Sequence, residues 1–418
     1  MDPVDIRPVP PGQRTQSPLD LFLIFAGANI VATTLQTGAS LAGGVTPAQA
    51  LIIIVTGTIG GSALIAALAG VGPRLGVPSM IASRAALGRH GAGLVALLLV
   101  ATNFAWIAVN NVIAASACAH VWGGPGSARA WAAGLGLLST VVVAGGPRLV
   151  ARADRLAVPL LAAVGIVLTV AALRLPVAAG ATAGTPMGWA RGFDVVAGYQ
   201  VSWILMFADY SRFTPSRRGA SVAVFLALAL TSLWLMPVGL AAARAAGSHD
   251  PGAMLGALGV GMSGAVLMAV ATVTTNFVNI YMSSLAIRSL APNTGGQVAV
   301  WTTGLLGCAL GLWPGVWLER YASFMVVLGG MLVPVGGVLA ARFFLVADAV
   351  NARALYEPGG TRWWNGFDAA GLAGWAAGGA TYYSLAGSVG GTLPSLLVAV
   401  GVYLAVRRFR VAGRQVAR

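Results

Sequence analysis

Apolar stretches of about 17 to 25 residues, the length that crosses a hydrocarbon core as a helix, recur twelve times along the 418-residue chain. They cover approximately 19–43, 48–71, 92–117, 130–147, 156–176, 195–209, 219–246, 254–286, 297–314, 322–345, 367–385 and 392–406. Short polar turns separate them. The pattern therefore predicts an all-α polytopic membrane domain over 19–406, between a polar arm (1–18) and a tail (407–418). The arm, with Asp2 and Asp5 at its tip and then Arg7, Pro8, Pro10, Pro11 and Arg14, lacks the basic start and small-residue cleavage site of a signal peptide, so the first span is expected to stay in the mature protein.

Composition narrows this further. Only 9% of residues are charged and 57% are apolar, against about 25% charged in soluble domains, and mean hydropathy is +0.83. A soluble enzyme is excluded. All the basic residues are arginine, and the net charge of +14 could suggest nucleic acid if they formed a stripe. Sorted by alternate loops, twenty arginines lie on the side of both termini and five on the other. Because cytoplasmic loops retain positive charge, both ends are expected in the cytoplasm of a cell inner (plasma) membrane protein, and no nucleic-acid partner is needed. Cys118 and Cys308 have neither metal-ligand nor disulfide spacing and read as inert packing residues. There is no phosphate-binding loop, so any pumping must draw on a gradient.

Glycine and proline interruptions in membrane helices often mark the binding sites of secondary transporters. Two places stand out. The first span carries Ala26, Gly27, Ala28, Asn29, Ile30, and the short sixth span carries Gly198, Tyr199, Gln200, Val201, Ser202, Trp203. Close helix packing is the competing reading of both glycines. If spans one to five and six to ten are inverted repeats, however, the first and sixth correspond. In the eighth span, the Ala271 carbonyl and the Thr274 and Thr275 hydroxyls fall at i, i+3 and i+4 and can converge as hard oxygen ligands. Such threonines also commonly bond back to their own helix. In the third span, Asn103, Trp106 and Asn110 share one face, offering an aromatic plane between amides that suits a heteroaromatic ligand. An interfacial tryptophan belt fits Trp363 and Trp364 better than Trp106. No acid falls at a predicted helix centre and the histidines, His90, His120 and His249, lie in or beside loops, so an intramembrane proton relay has no visible carrier. Sodium is the expected coupling ion.

Several segments resemble the nucleobase-cation-symport-1 family of cytosine, purine, hydantoin and allantoin carriers: Arg7, Pro8, Val9, Pro10, Arg14 and Thr15; residues 25–30; Ser83 to Gly88; Ala208 to Phe213; and Val333 to Val338. The resemblance implies a leucine-transporter-like fold, with two inverted five-helix repeats and two C-terminal helices. It also implies a cation between helices one and eight, on the carbonyls of Gly27, Ile30 and Ala271 and the hydroxyls of Thr274 and Thr275. A substrate ring would stack on Trp106 and bond to Asn103, Ser202 and Asn276, with Asn29, Tyr199, Gln200 and Trp203 nearby. Two departures stand out: Gln200 takes the place of a second stacking aromatic on helix six, and Arg342 that of an acid after the tenth-helix segment.

The expected function is import of a nucleobase or related nitrogen heterocycle with sodium, without a cofactor, by a chain expected to act as a monomer among membrane lipid. Carriage of hydroxymethylpyrimidine or another thiamin precursor, or of hydantoin or allantoin, is the alternative within the fold. An integral-membrane enzyme or a channel is the alternative outside it. The acid and histidine census argues against an enzyme, and no pore-lining repeat supports a channel.

Overall fold

The computed structural model describes residues 6–175, 187–291, 293–357 and 366–416. Asp2, Asp5, Trp363 and Trp364 lie outside them. The described chain is helical: α1 (Pro18–Asn29), α2 (Ala32–Ala39), α3 (Pro47–Ala69), α4 (Val71–Leu75), α5 (Ser79–Ala82), α6 (Arg84–Val121), α7 (Ala128–Ala144), α8 (Pro147–Leu173), α9 (Trp189–Val201), α10 (Arg217–Ala246), α11 (Pro251–Ala257), α12 (Gly261–Leu290), α13 (Gly296–Leu310), α14 (Pro314–Glu319), α15 (Tyr321–Ala340), α16 (Ala369–Leu385) and α17 (Thr392–Val416). The starts follow local chemistry. Ser17 and Asp20 form a capping box around Pro18, Thr46 and Gln49 another around Pro47, and Asp250 and Asp368 cap α11 and α16. Each supplies an acceptor to amide groups that a helix N-terminus leaves unpaired.

Among the described residues, six helical stretches are by themselves long and apolar enough to cross a membrane, and the pair α1–α2, bent by 57°, makes a seventh. The shorter α7, α9, α13 and α16, with the apolar part Pro159–Leu173 of α8, fall on the five remaining predicted runs. At the heart of the bundle α6 lies along α12, α9 packs between α3 and α15, and α10 lies against both α1 and α2.

Several boundaries differ from the sequence pattern, α8 among them, which starts at Pro147, nine residues ahead of its apolar run. The run at 254–286 is two helices, because Gly259 turns the chain at φ +69° between α11 and α12. The sixth helix begins at Trp189, six residues before the apolar run, so Asp194 lies inside a helix and is fully buried. Its carboxylate is satisfied by the start of α17, accepting from the amides of Gly391 (2.7 Å) and Thr392 (3.0 Å) and from the Thr392 hydroxyl (2.7 Å). Helix α17 runs on to Val416 through most of the predicted tail. Finally, the first helix breaks at Ile30 and Val31, a turn beyond Gly27.

Candidate functional site

The break in α1 follows from side chains that compete with the helix for its backbone. Asn29, fully buried, donates from Nδ2 to Thr231 Oγ1 (2.7 Å) and Ser232 Oγ (2.8 Å) on α10, and its Oδ1 accepts from the Tyr199 hydroxyl (3.0 Å) on α9. Thr34 Oγ1 donates to the Asn29 carbonyl (2.5 Å) and shares a 2.6 Å bond with Tyr199. Ile30 (φ −79°, ψ 75°) and Val31 (φ −141°, ψ 160°) leave helical space, so the Gly27 and Ala28 carbonyls lose the i+4 amides a continuous helix would supply.

Beside this break lies a cavity walled by Ala28, Val31 and Thr33 from the first span; Asn103, Trp106 and Asn110 from α6; Tyr199, Ser202, Trp203 and Met206 from the sixth span; and Thr275, Val278 and Asn279 from α12. Helical periodicity selects these residues. On α6 they fall at i, i+3 and i+7, on the sixth span at i, i+3, i+4 and i+7, and on α12 at i, i+3 and i+4, each set one face of a helix. The free space is about 40 Å³, room for a few waters, so a ring can enter only when the walls part.

Polar atoms are left open around the cavity. Thr275 Oγ1, Asn110 Oδ1 and Asn279 Nδ2 are buried without a hydrogen-bond partner. Such atoms are costly to bury unless something bonds to them. Asn103 instead donates to the Asn279 carbonyl (3.2 Å) and Ser283 Oγ (3.0 Å), and Ser202 Oγ donates back to the Tyr199 carbonyl (2.7 Å). Trp106 meets Tyr199 and Phe324 edge-on, at centroid distances of 5.9 and 5.4 Å. Trp203 leans on Phe25 at 5.5 Å, and Phe25 meets Tyr210 at 6.1 Å. Above Phe324, the Tyr321 hydroxyl bonds to Thr37 Oγ1 (2.8 Å) and to the Thr33 carbonyl (2.9 Å), tying α15 to α2.

Of the eight substrate residues expected from sequence, Trp106, Asn103, Tyr199, Ser202 and Trp203 are brought together here, and three are not. Gln200, one residue off the inward face, points to α3 and α10: its Nε2 donates to Ser232 Oγ (2.7 Å), and a Cβ on Gly61 would meet its Cβ at 2.4 Å. Asn276, likewise one position off the face of Thr275 and Asn279, donates to Asn111 Oδ1 (2.9 Å) and accepts from Asn110 Nδ2 (3.2 Å). Asn29 stands behind the wall and holds the break. Trp203, from the same span, lines the cavity where Gln200 does not. Asn279, Thr33 and Met206 were missed as wall residues, and the spacing from Thr275 or from Tyr199 would have found two of them.

Gly198 serves packing, since a Cβ there would come within 2.4 Å of the Met325 carbonyl on α15. The five expected cation ligands gather only in part. Ile30 and Ala271 border one small cavity of about 10 Å³ between the break and α12, about one water in size. Thr275 has a free hydroxyl, whereas Thr274 Oγ1 donates back to the Val270 and Ala271 carbonyls, both at 3.1 Å. Gly27 offers its released carbonyl from the preceding turn.

A family model described as permease for cytosine/purines, uracil, thiamine, allantoin matches residues 8–405. The cytosine permease of Escherichia coli (strain K12) is 24% identical over 354 residues, covering 84% of this chain and 81% of that protein. A Bacillus subtilis (strain 168) protein bearing the name purine-cytosine permease is 29% identical over 249 residues, 56% of this chain, and that match spans only about half (52%) of the relative's length. Among solved structures, inward-facing Mhp1 superposes with a TM-score of 0.83 at 17% identity, covering 97% of this chain and 93% of that one. Mhp1, a nucleobase-cation-symport-1 family transporter, in a closed conformation with bromovinylhydantoin bound gives 0.80 at 16% identity, covering 97% and 94%. The fold is shared more distantly with MhsT, at a TM-score of 0.54 and 15% identity, covering 92% and 97%. The chain thus has the leucine-transporter-like fold expected of it, and it belongs to the cytosine/purine permease family, the nucleobase-cation-symport-1 transporters of the membrane.

Proposed function

We propose that the protein is a secondary active transporter, not an enzyme, that imports a nucleobase or related nitrogen heterocycle together with sodium. The observation that carries this reading is the inward face shared by Trp106, Tyr199 and Trp203 with unpaired amide atoms of Asn110 and Asn279. Flat rings bind flat heterocycles, and an amide acceptor and an amide donor match their lactam and amino edges. The relatives support the same class, since those named carry cytosine or purines by name and Mhp1 was solved with a hydantoin.

Sodium would sit at the seam of α1 and α12, on the carbonyls of Gly27, Ile30 and Ala271 and the Thr275 hydroxyl, with Thr274 contributing if its hydroxyl turns away from its own helix. Hard oxygen ligands suit a small cation, and one sodium entering with a neutral ring carries charge, worth about 2.3 kcal/mol per 100 mV. The arginine bias supports both termini lying in the cytoplasm, and an inside-negative membrane potential would drive the sodium inward together with the ring.

The test is uptake into proteoliposomes of labelled cytosine, a purine, uracil, hydantoin, allantoin and hydroxymethylpyrimidine, with an inward sodium or an inward proton gradient. Sodium-driven accumulation of at least one ring is expected. Accumulation that follows protons and ignores sodium would remove the coupling assignment, and no uptake or binding of any ring would remove the substrate class.

A further inference from the structure

A second and far larger cavity opens on the side of the molecule, away from the central site. It has about 730 Å³ of free space, on the measure that gives the central one about 40 Å³, and lies between the start of α6, the end of α12 and the start of α16. Its polar end is cationic. Arg84, Arg89 and His90 line it, and among the described residues neither arginine has a carboxylate within salt-bridge distance. The Arg84 guanidinium donates one hydrogen bond from Nη1 to the Leu355 carbonyl (3.0 Å), which fixes its head at the cleft and leaves its other N–H groups for a ligand, while Arg89 is exposed.

The other end of the same cavity is apolar and open. Leu94, Leu97 and Leu290 line it and are 46%, 58% and 44% exposed. His90, Leu94 and Leu97 follow one face of α6 at i, i+4 and i+7, and Ala101 continues that exposed face toward the middle of the span. The backbone around the cationic end is fixed: Gly88 (φ +81°) admits the chain of α16 so closely that a Cβ there would meet the Gly366 carbonyl at 2.5 Å, and the His90 amide donates to that carbonyl at 2.9 Å. His90 also packs on Phe367 at 5.3 Å.

We propose that this cleft binds an anionic phospholipid, its phosphate between Arg84 and Arg89 and an acyl chain along Leu94, Leu97 and Leu290. The charge fits one end of such a molecule and the apolar stripe the other. Basic pockets between membrane helices on the positively charged side recognise anionic headgroups in this way. A soluble anion would gain nothing from the leucines, and a neutral lipid nothing from two guanidinium charges that, among the described residues, have no carboxylate partner. The site is independent of the substrate reading, and it sits on the arginine-rich face of the bundle, where an anionic leaflet would meet it.

The experiment titrates the delipidated, full-length protein in neutral detergent with phosphatidylglycerol, phosphatidylcholine or inorganic phosphate, reading bound lipid by native mass spectrometry and the unfolding temperature alongside. Phosphatidylglycerol should bind roughly thirtyfold more tightly than phosphatidylcholine, about fivefold for each of the two arginines. Arg89→Gln, an exposed change that the fold should tolerate, should reduce that preference to about fivefold, and the Arg84→Gln/Arg89→Gln pair should abolish it. Leu97→Asp should weaken both lipids. Equal binding of the two lipids by the parent, or an undiminished preference in Arg89→Gln, would overturn the proposal. So would stabilisation by inorganic phosphate as large as that by the lipid, since the cleft would then be a free-anion site.

Discussion

The first and sixth spans occupy corresponding places in the two repeats, yet they interrupt the helix differently. Between α1 and α2 the backbone leaves helical space at Ile30 and Val31 and the axis turns by 57°. Beyond α9 the chain stays right-handed, with Val201 at φ −70°, ψ −9° and Ser202 at φ −58°, ψ −25°, and tightens into a 3₁₀ turn over Ser202–Met206. The causes are visible in the polar side chains. Asn29 bonds outward to two other helices and pulls its own helix open, whereas Ser202 bonds inward to the Tyr199 carbonyl three residues back and winds its helix tighter. One span thereby releases carbonyls; the other turns Tyr199, Ser202, Trp203 and Met206 onto a single wall. Pseudo-symmetric positions have diverged into a backbone site and a side-chain site.

The hardest test of that contrast is Asn29→Ala. It leaves Thr231, Ser232 and the Tyr199 hydroxyl short of a partner in a buried setting, and each such loss costs about 1–3 kcal/mol. The variant should melt well below the parent in detergent and lose most uptake, even where enough folded protein is recovered. Ser202→Ala, which removes one local bond, should cost about 1 kcal/mol or less. If the two variants melt alike, the breaks are equivalent and the contrast fails.

Next come the rings of the wall. Aromatic contacts are worth about 0.5–1.5 kcal/mol beyond the area they bury, so Trp106→Ala and Trp203→Ala should each raise the apparent Kd for the transported ring by about tenfold or more. Trp106→Phe and Trp203→Phe should cost less. A Trp203→Ala protein that folds and binds as the parent does would mean that helix six contributes no platform, and the wall would then be one-sided.

The all-helical membrane architecture was legible because lipid leaves a chain few options: every spanning segment must be long, apolar and helical. The inward face of α6 was legible too, since Asn103, Trp106 and Asn110 are the polar interruptions of an apolar helix and share one side. The sixth span was harder. Its apolar run begins at residue 195 but its helix at Trp189, held by the buried Asp194 cap on α17, so neither its length nor Asp194's place inside it could be read from hydropathy. Gln200 and Asn276 look in sequence like substrate ligands because a buried amide has the same one-letter code whether it faces a cavity or another side chain. Only the helical phase separates them from Ser202 and Asn279. Arg342 was opaque for the same reason. Its guanidinium reaches the carbonyls of Ala85 (3.1 Å) and Asp348 (3.2 Å), tying the end of α15 to the start of α6, and those partners lie far away or beyond the span.

The backbone site gives a smaller, sharper effect. Thr275 Oγ1 is unpartnered, and Thr274 Oγ1 already bonds to its own helix. Thr275→Ala should therefore raise the sodium concentration for half-maximal uptake by about fivefold, the worth of one hydrogen bond or ligand contact near 1 kcal/mol, and Thr274→Ala should raise it less. Equal effects would show that Thr274 turns to the ion on binding. No effect from either would move the cation away from α12.

The smallest expected change in affinity is the one that most directly tests the phase of helix six. Gln200→Met keeps the volume beside Gly61 but removes the bond to Ser232, and it touches nothing in the cavity wall. Substrate affinity should change by less than about twofold while stability falls by about 1 kcal/mol, the usual worth of one buried neutral hydrogen bond. Asn279→Ala, two helices away but on the inward face, should do the reverse: affinity falls by about fivefold or more because a ring edge loses its amide, while stability falls less, since Asn279 Nδ2 has no partner to lose. The pair works as a cross. Should Gln200→Met weaken binding as strongly as Trp203→Ala does, the transporting state must rotate the sixth helix by about 100°, one residue's worth of helical phase, and the wall described here would belong to only one of its conformations.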